Sequence, residues 1–345
     1  MSERKFGICV VGLGVLSRNA IAPAFKNSRH CRLAGIVTSS TEKAAEWQRE
    51  FGVPAKGVYS FDRFDEIARN PDIDAVFIVL PNAQHAEYSV RAARAGKHVL
   101  CEKPLAVSVA ECEEMIAACE GAGRVLATAY RCHCDPHHRE LMRLAKAGAF
   151  GTIRLVEASF GFHVRNPDAP HSKWRRSQKS AGGGALVDVG VYALQGACYL
   201  TGEDPIAVCA TETKMLPDVF DEVDETLCWT MKFPSGAIAN CSTSYTCPLN
   251  RLFVSGDEGW GELSPAYTYF GDIRMRTHEG PQEFEHVDHF AAQMDHFAES
   301  CRGETDLYFP GEMGLRDVRI MTAIYESARS GQPVAIGGDG PKPAS

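Results

Sequence analysis

The chain has 345 residues, 45% of them hydrophobic, and carries a formal net charge of −8. That length buries a full core and suits two domains rather than one, while an acidic balance speaks against nucleic acid, whose phosphates call for a basic surface. No apolar run approaches the ~20 residues that cross a bilayer, and the opening Met1-Ser2-Glu3-Arg4-Lys5 leads into strand-like sequence without a signal-peptide pattern, so a cytoplasmic protein with no membrane contact is expected.

Strand and helix signals alternate in the first third. Lys5–Val11, Cys31–Val37, Asp74–Leu80, His98–Cys101 and Arg124–Ala129 are short apolar runs suited to strands buried on both faces. Helical stretches lie between them at Thr41–Phe51, Ala86–Ala95 and Ser108–Cys119, the last opening on a capping box of Ser108 and Glu111. Gly52, Gly96 and Gly121 stand where these helices stop. The alternation predicts βαβ units and a doubly wound parallel sheet, a Rossmann domain over residues 1–129.

Inside it, Val10-Val11-Gly12-Leu13-Gly14 is a strand running into glycines, with Val15 next and a helix expected from near Leu16. The first glycine permits the tight turn and the second lets backbone N–H groups approach a pyrophosphate at the helix N-terminus. Ser17 takes the place of the third glycine of that fingerprint. The second strand ends in Val37-Thr38-Ser39-Ser40, with Lys43 following and no acid before Glu42. NAD sites place an Asp or Glu there for the ribose 2′-OH. Hydroxyls at Thr38, Ser39 and Ser40 with the Lys43 cation suit a 2′-phosphate instead, so NADP(H) is the expected cofactor. The bland alternative is that Ser39 and Ser40 only cap the next helix.

Beyond Tyr130 the pattern changes. Glu225–Phe233 alternates strictly, with Leu227, Trp229, Met231 and Phe233 on one face, and Pro234-Ser235-Gly236 turns into Ala237–Tyr245. That predicts a hairpin of an antiparallel sheet. Thr152–Phe160, Ile206–Thr213 and Arg251–Val254 read as further strands, and His289–Cys301 and Gly314–Ser330 as closing helices. Residues 130–336 are therefore expected to form an α+β domain with a largely antiparallel open sheet, followed by a frayed tail at 337–345.

Thirteen cysteines in a chain of this size point to reduced thiols, most of them in apolar segments, rather than a disulfide framework. Cys132-His133-Cys134-Asp135-Pro136-His137-His138 holds several metal-ligating side chains but has no distant second pair of the kind structural zinc requires, so no metal is expected.

The ordered set Asp74-Ala75-Val76, Leu80-Pro81-Asn82, His85, Ala95-Gly96-Lys97-His98-Val99, Cys101-Glu102-Lys103-Pro104, Tyr130-Arg131-Cys132-His133, Trp174-Arg175, Ala181-Gly182-Gly183-Gly184 and Asp188-Val189-Gly190-Val191-Tyr192 resembles the glucose-fructose oxidoreductase / inositol dehydrogenase family, and within it the aldose-oxidising members. The likeness runs from the glycine loop to the final helix. It implies that Leu80, Pro81, Asn82, His85, Glu102 and Lys103 flank the nicotinamide half of the cofactor. It also implies that Arg131, Trp174, Arg175 and Tyr269 complete that pocket from the second domain, and that subunits pair sheet to sheet. A homodimer through the exposed face of the second sheet is expected.

Lys103, Asp188 and Tyr192 are the expected catalytic and sugar-binding residues. Oxidising a sugar hydroxyl requires its proton to leave as the carbonyl forms, and an unperturbed tyrosine, with a pKa near ~10, is a poor base at neutral pH. A nearby lysine cation favours the phenolate and stabilises charge on the sugar oxygen. Asp188 is expected to accept from a sugar hydroxyl or to hold Lys103. The leading expectation is an NADP(H)-dependent sugar oxidoreductase taking an aldose to its lactone, with a second sugar reduced by the same cofactor. The alternatives are a dehydrogenase that releases NADPH at each turnover and a non-catalytic sugar- or dinucleotide-sensing regulator. The segment from Phe160 to His171 is expected to set the sugar.

Overall fold

The computed structural model describes residues 4–269 and 271–337, so most of the expected tail lies outside the described residues. The chain divides into two compact units, Met1–Asp135 with Val287–Leu315, and Pro136–His286 with Arg316–Ser345. The helix His289–Cys301, expected in the second domain, thus belongs to the first unit, which is discontinuous in sequence. There it packs on the second strand and on the turn Arg131–Cys134.

The first unit is built on six strands: β1 (Phe6–Val11), β2 (Cys31–Val37), β3 (Val58–Tyr59), β4 (Ala75–Ile78), β5 (His98–Cys101) and β6 (Leu126–Thr128). Their order is β3-β2-β1-β4-β5-β6, every pair parallel. This is a Rossmann sheet whose order reverses between β1 and β4, where ligands of such folds sit at the strand ends. β1 and β4 are buried at every position, as apolar runs without alternation require. The capping box forms as expected, Ser108 Oγ accepting from the Glu111 N–H at 3.2 Å. One stop signal shifts. Gly121 is the last residue of the helix Val109–Gly121, and the left-handed position is Gly123 at φ 62°.

The second unit carries nine strands: β7 (Ile153–Gly161), β8 (Ala207–Thr213), β9 (Thr226–Lys232), β10 (Ile238–Ser244), β11 (Leu249–Gly256), β12 (Trp260–Leu263), β13 (Met275–Thr277), β14 (Gly280–Gln282) and β15 (Val334–Ala335). The order is β14-β13-β12-β11-β7-β10-β9-β8-β15, antiparallel except where β10 lies parallel to β7. The predicted hairpin is present, Ile238 pairing with Lys232 and Ser244 with Thr226. Leu227, Trp229, Met231 and Phe233 are all buried, while Cys228, Thr230 and Lys232 face out. The inner face is covered by the helix Val191–Thr201, apolar on nearly every side, which rests on β7, β10 and β11. The short strands from β12 onward escape sequence patterning because two to four residues hold no period. Among the described residues no helix is long and apolar enough to cross a membrane.

Candidate active site

In the first unit β1 delivers the glycine loop to the point where the sheet order reverses. Gly12 has φ 96°, and a Cβ there would stand 2.4 Å from the Val79 carbonyl oxygen, so no other residue fits without displacing the β4 end. Ser17, in place of the third glycine, is buried and its hydroxyl donates to the Gly12 carbonyl at 2.6 Å, pinning the turn from the helix side. Leu13 is buried, but Gly14 is exposed and Val15 is 54% exposed at the helix start. A Cβ at Gly14 would meet nothing within 4 Å. The chain's own packing therefore does not require that glycine.

Beside this loop Lys43 Nζ donates to the Leu13 carbonyl at 3.1 Å. Ser40 caps the helix Thr41–Phe51, its Oγ accepting from the Lys43 N–H at 3.1 Å, which realises the capping role weighed in the sequence. The Thr38 hydroxyl accepts from the Ser40 N–H at 3.2 Å, and Ser39 is exposed.

His85 is enclosed by the chain itself. It is completely buried, with Nδ1 2.9 Å from the Pro104 carbonyl and Nε2 3.0 Å from the Leu80 carbonyl. The ring lies between the turn carrying Lys103 and the segment after β4. Burial, the largest influence, holds its pKa below the ordinary histidine value. Leu80 and Pro81 are half-buried and Asn82 is buried. Glu102 and Lys103 follow β5 directly. Both are nearly buried, and the Lys103 N–H donates to Glu102 Oε2 at 3.3 Å. Arg131, expected to serve from the second domain, is a first-unit residue, buried with Nη1 3.3 Å from His289 Nε2 and its guanidinium over the Phe290 ring.

In the second unit Asp188 and Tyr192 lie on one helical run. Asp188 sits in a π-helical turn, Leu186–Gly190, and Tyr192 in the helix that continues from it. Asp188 Oδ2 accepts from Arg175 Nε at 3.0 Å and from the Tyr245 hydroxyl at 3.0 Å. The Arg175 guanidinium stacks on Trp174, 4.6 Å from the ring centre, so this pair is organised around Asp188. Tyr192 is 4% exposed, and its hydroxyl lies 3.0 Å from that of half-buried Tyr269. Phe160 meets the Tyr192 ring edge-on at 5.4 Å, which limits how that ring can turn. The start of the run is anchored by Asp224, which accepts from the N–H groups of Gly184 at 2.6 Å and Leu186 at 2.8 Å and from the Tyr325 hydroxyl at 2.6 Å. A Cβ at Gly184 would stand 2.0 Å from the Asp224 carbonyl oxygen, the reason a glycine ends the run Gly182-Gly183-Gly184.

Residues 6–130 match the family described as an oxidoreductase family with an NAD-binding Rossmann fold, and residues 138–262 match the GFO/IDH/MocA C-terminal domain. The chain belongs to the GFO/IDH/MocA oxidoreductase family. Among solved structures it is similar to aldose-aldose oxidoreductase from Caulobacter crescentus complexed with glycerol, at 41% identity and a TM-score of 0.92, over 96% of this chain and 100% of that one. It is 31% identical to a D-xylose 1-dehydrogenase (NADP(+)) of Haloferax volcanii over 96% of this chain and 99% of the relative. A D-xylose 1-dehydrogenase [NADP(+)] of Haloarcula marismortui is 28% identical over 95% and 92%.

As a GFO/IDH/MocA oxidoreductase the chain uses a nicotinamide dinucleotide, and the glycine loop fits one. The open space at Gly14 lies at a helix start, whose first N–H groups have no intrahelical acceptor and attract phosphate. Gly12 to Leu16 would hold the pyrophosphate and the end of β2 the adenosine ribose. Among the described residues no group of His, Cys, Asp and Glu is arranged to hold a metal ion, and Cys132–Asp135 is a buried turn leading into the helix Pro136–Lys146, which carries His137 and His138. Sequence reasoning did not find Ser17's hydrogen bond, Tyr245, Asp224 or Tyr325. Tyr245 and Asp224 end or precede strands, where the alternating pattern assigns no role.

Proposed function

We propose that this chain is an NADP(H)-dependent sugar oxidoreductase that oxidises an aldose to its aldonolactone and reduces a second sugar with the same cofactor. The observation that carries the substrate class is the likeness to aldose-aldose oxidoreductase over nearly the whole of both chains. The preference for NADP(H) rests on the absence of an acid at the end of β2 and on Lys43 beside the glycine loop. The names of the two xylose dehydrogenases agree with it.

A dinucleotide held by its pyrophosphate at the glycine loop would supply the hydride acceptor through its nicotinamide. Tyr192, as a phenolate that Tyr269 stabilises through the hydrogen bond between their hydroxyls, takes the proton of the anomeric hydroxyl as the lactone carbonyl forms and so becomes the neutral phenol. Lys103 supplies the positive charge that favours the phenolate and the developing oxyanion. Asp188, paired with Arg175, accepts from a sugar hydroxyl. When a second sugar is reduced, Tyr192 returns the proton to its carbonyl oxygen. The same reading includes a homodimer formed through the outer face of the nine-stranded sheet.

Nicotinamide absorbance of the purified protein tests this directly. Adding an aldose to protein loaded with NADP⁺ should raise the reduced-nicotinamide band, and a second sugar, with no free cofactor present, should lower it again. A band that rises but falls only when free NADP⁺ is exchanged in would make the enzyme a simple dehydrogenase. No response to any aldose would reject the reading.

A further inference from the structure

Tyr245 has no part in the chemistry just described, yet its hydroxyl reaches that chemistry. The residue follows β10, and its ring is fully buried, stacked on Phe220 with centroids 5.7 Å apart and planes at 28°, with Phe162 edge-on at 5.5 Å. Ala185, Phe220 and Val223 close a small apolar cluster around it. Phenylalanine would satisfy that packing equally. The hydroxyl is what the cluster does not explain, since burying one costs free energy unless it is bonded. It lies 3.0 Å from Asp188 Oδ2 and 3.2 Å from the Gly184 carbonyl. Its single proton goes to the stronger acceptor, the carboxylate.

Arg175 Nε donates to that same oxygen at 3.0 Å. An aspartate carboxylate otherwise turns broadly about its last torsion. Donors arriving from two separate elements, the turn Trp174–Arg176 and the segment after β10, select one plane for it.

We propose that Tyr245 is a positioning residue that fixes the plane of Asp188, so that Asp188 reads one particular ring hydroxyl of the sugar. This rests on the aldose oxidoreductase reading above. A site built to bond a substrate hydroxyl rejects the analogue lacking it, because its own polar group is left unpaired. Specificity at that one ring position therefore depends on a hydroxyl the sugar does not touch.

The test compares kcat/KM for the preferred aldose with its monodeoxy analogues, one ring position at a time. In the wild type one analogue should be rejected by roughly 10²-fold or more, as expected for a lost hydrogen-bond partner. Tyr245→Phe should cut that ratio by about tenfold or more, with KM for the parent sugar raised more than kcat is lowered and the other positions unchanged. Phe220→Leu, which loosens the same cluster, should lower Tm without moving any ratio. Unchanged ratios in Tyr245→Phe, or an equal fall at every position, would overturn the proposal, the latter by showing a structural role only. If Tyr245→Phe does not fold, Asp188→Asn gives the same readout. It must flatten a single position, and a uniform loss overturns the proposal. A wild type that oxidises no aldose rejects the enzyme reading itself, and this inference with it.

Discussion

The two units place their candidate functional residues by opposite means. In the first, function sits on backbone: a glycine with positive φ, a helix start, and a turn after β5 that presents Lys103. In the second, function sits on side chains bonded to side chains: Asp188 with Arg175 and Tyr245, and Tyr192 with Tyr269. Backbone sites constrain which residues can occupy a few positions and leave a motif behind. Side-chain networks draw on distant segments, 174–192, 224–245 and 269, and leave none. The same molecule therefore has one half that is readable as a pattern and one that is readable only as geometry.

The largest effect should come from removing the chemistry itself. Tyr192→Phe keeps the ring, so fold and cofactor affinity should survive while single-turnover hydride transfer falls by roughly 10²-fold or more, the scale of lost acid–base help. Lys103→Ala should be at least as damaging, because it removes the cation proposed to favour the phenolate and the developing oxyanion. Following nicotinamide absorbance under single-turnover conditions keeps product release from hiding the step. A wild-type rate in Tyr192→Phe would remove the second unit's claim to the proton.

Next in size is a contrast within the backbone half. Gly12→Ala forces a positive φ on alanine and sets its Cβ against the Val79 carbonyl, so stability should fall by about 1–3 kcal/mol or more. Gly14→Ala meets nothing in the protein, so its unfolding free energy should stay within about 0.5 kcal/mol of wild type. Its dinucleotide affinity should nevertheless drop by about tenfold, ~1.4 kcal/mol, if a pyrophosphate passes over that position. Urea unfolding and calorimetric titration separate the two. A Gly14→Ala protein that binds cofactor normally would move the phosphate path elsewhere.

What the sequence reveals follows the same division. The parallel strands are legible because burial on both faces makes them unbroken apolar runs, and β9 is legible because burial on one face makes it alternate. The glycine loop was legible because one of its constraints is steric. His85 is legible as a residue beside the nucleotide loop, but only the structure shows that its ring is enclosed, with its nitrogens near the Leu80 and Pro104 carbonyls. The helix His289–Cys301 was recognised to the residue, yet its membership of the first unit rests on packing against β2, a contact between segments more than two hundred residues apart. Tyr245 and Asp224 are ordinary strand-end residues until their hydrogen bonds are seen.

Cofactor choice is a smaller effect that tests whether the first unit's backbone logic extends to β2. NADP(H) should bind at least tenfold tighter than NAD(H), about 1.4 kcal/mol. Replacing Ser39 with Asp supplies the missing ribose acceptor and repels a 2′-phosphate, so Ser39→Asp should reverse that order. Lys43→Ala should weaken NADP(H) more than NAD(H). Equal affinities in the unmodified protein, measured by calorimetry after stripping bound nucleotide, would mean that Ser39 and Ser40 serve only the helix they precede.

The smallest effect on activity, and the sharpest on assembly, should come from the outer sheet face of the second unit. Here β8, β9 and β10 present Cys209, Thr211, Cys228, Thr230 and Ser242 around a depression that the Arg251–Glu157 ion pair of β11 and β7 also lines. Two copies pairing through this face about a two-fold axis would bring each residue near that axis against its own counterpart. Thr230→Arg then places a bulky cation opposite its equal, and like charges across an interface are strongly unfavourable. Light scattering at micromolar concentration should report a dimer for the wild type and a monomer for Thr230→Arg, with turnover per subunit within about twofold because Thr230 lies on the face of the sheet opposite the helix that carries Tyr192. A monomeric wild type would defeat the dimer. A Thr230→Arg protein that stays dimeric would move the interface to another surface.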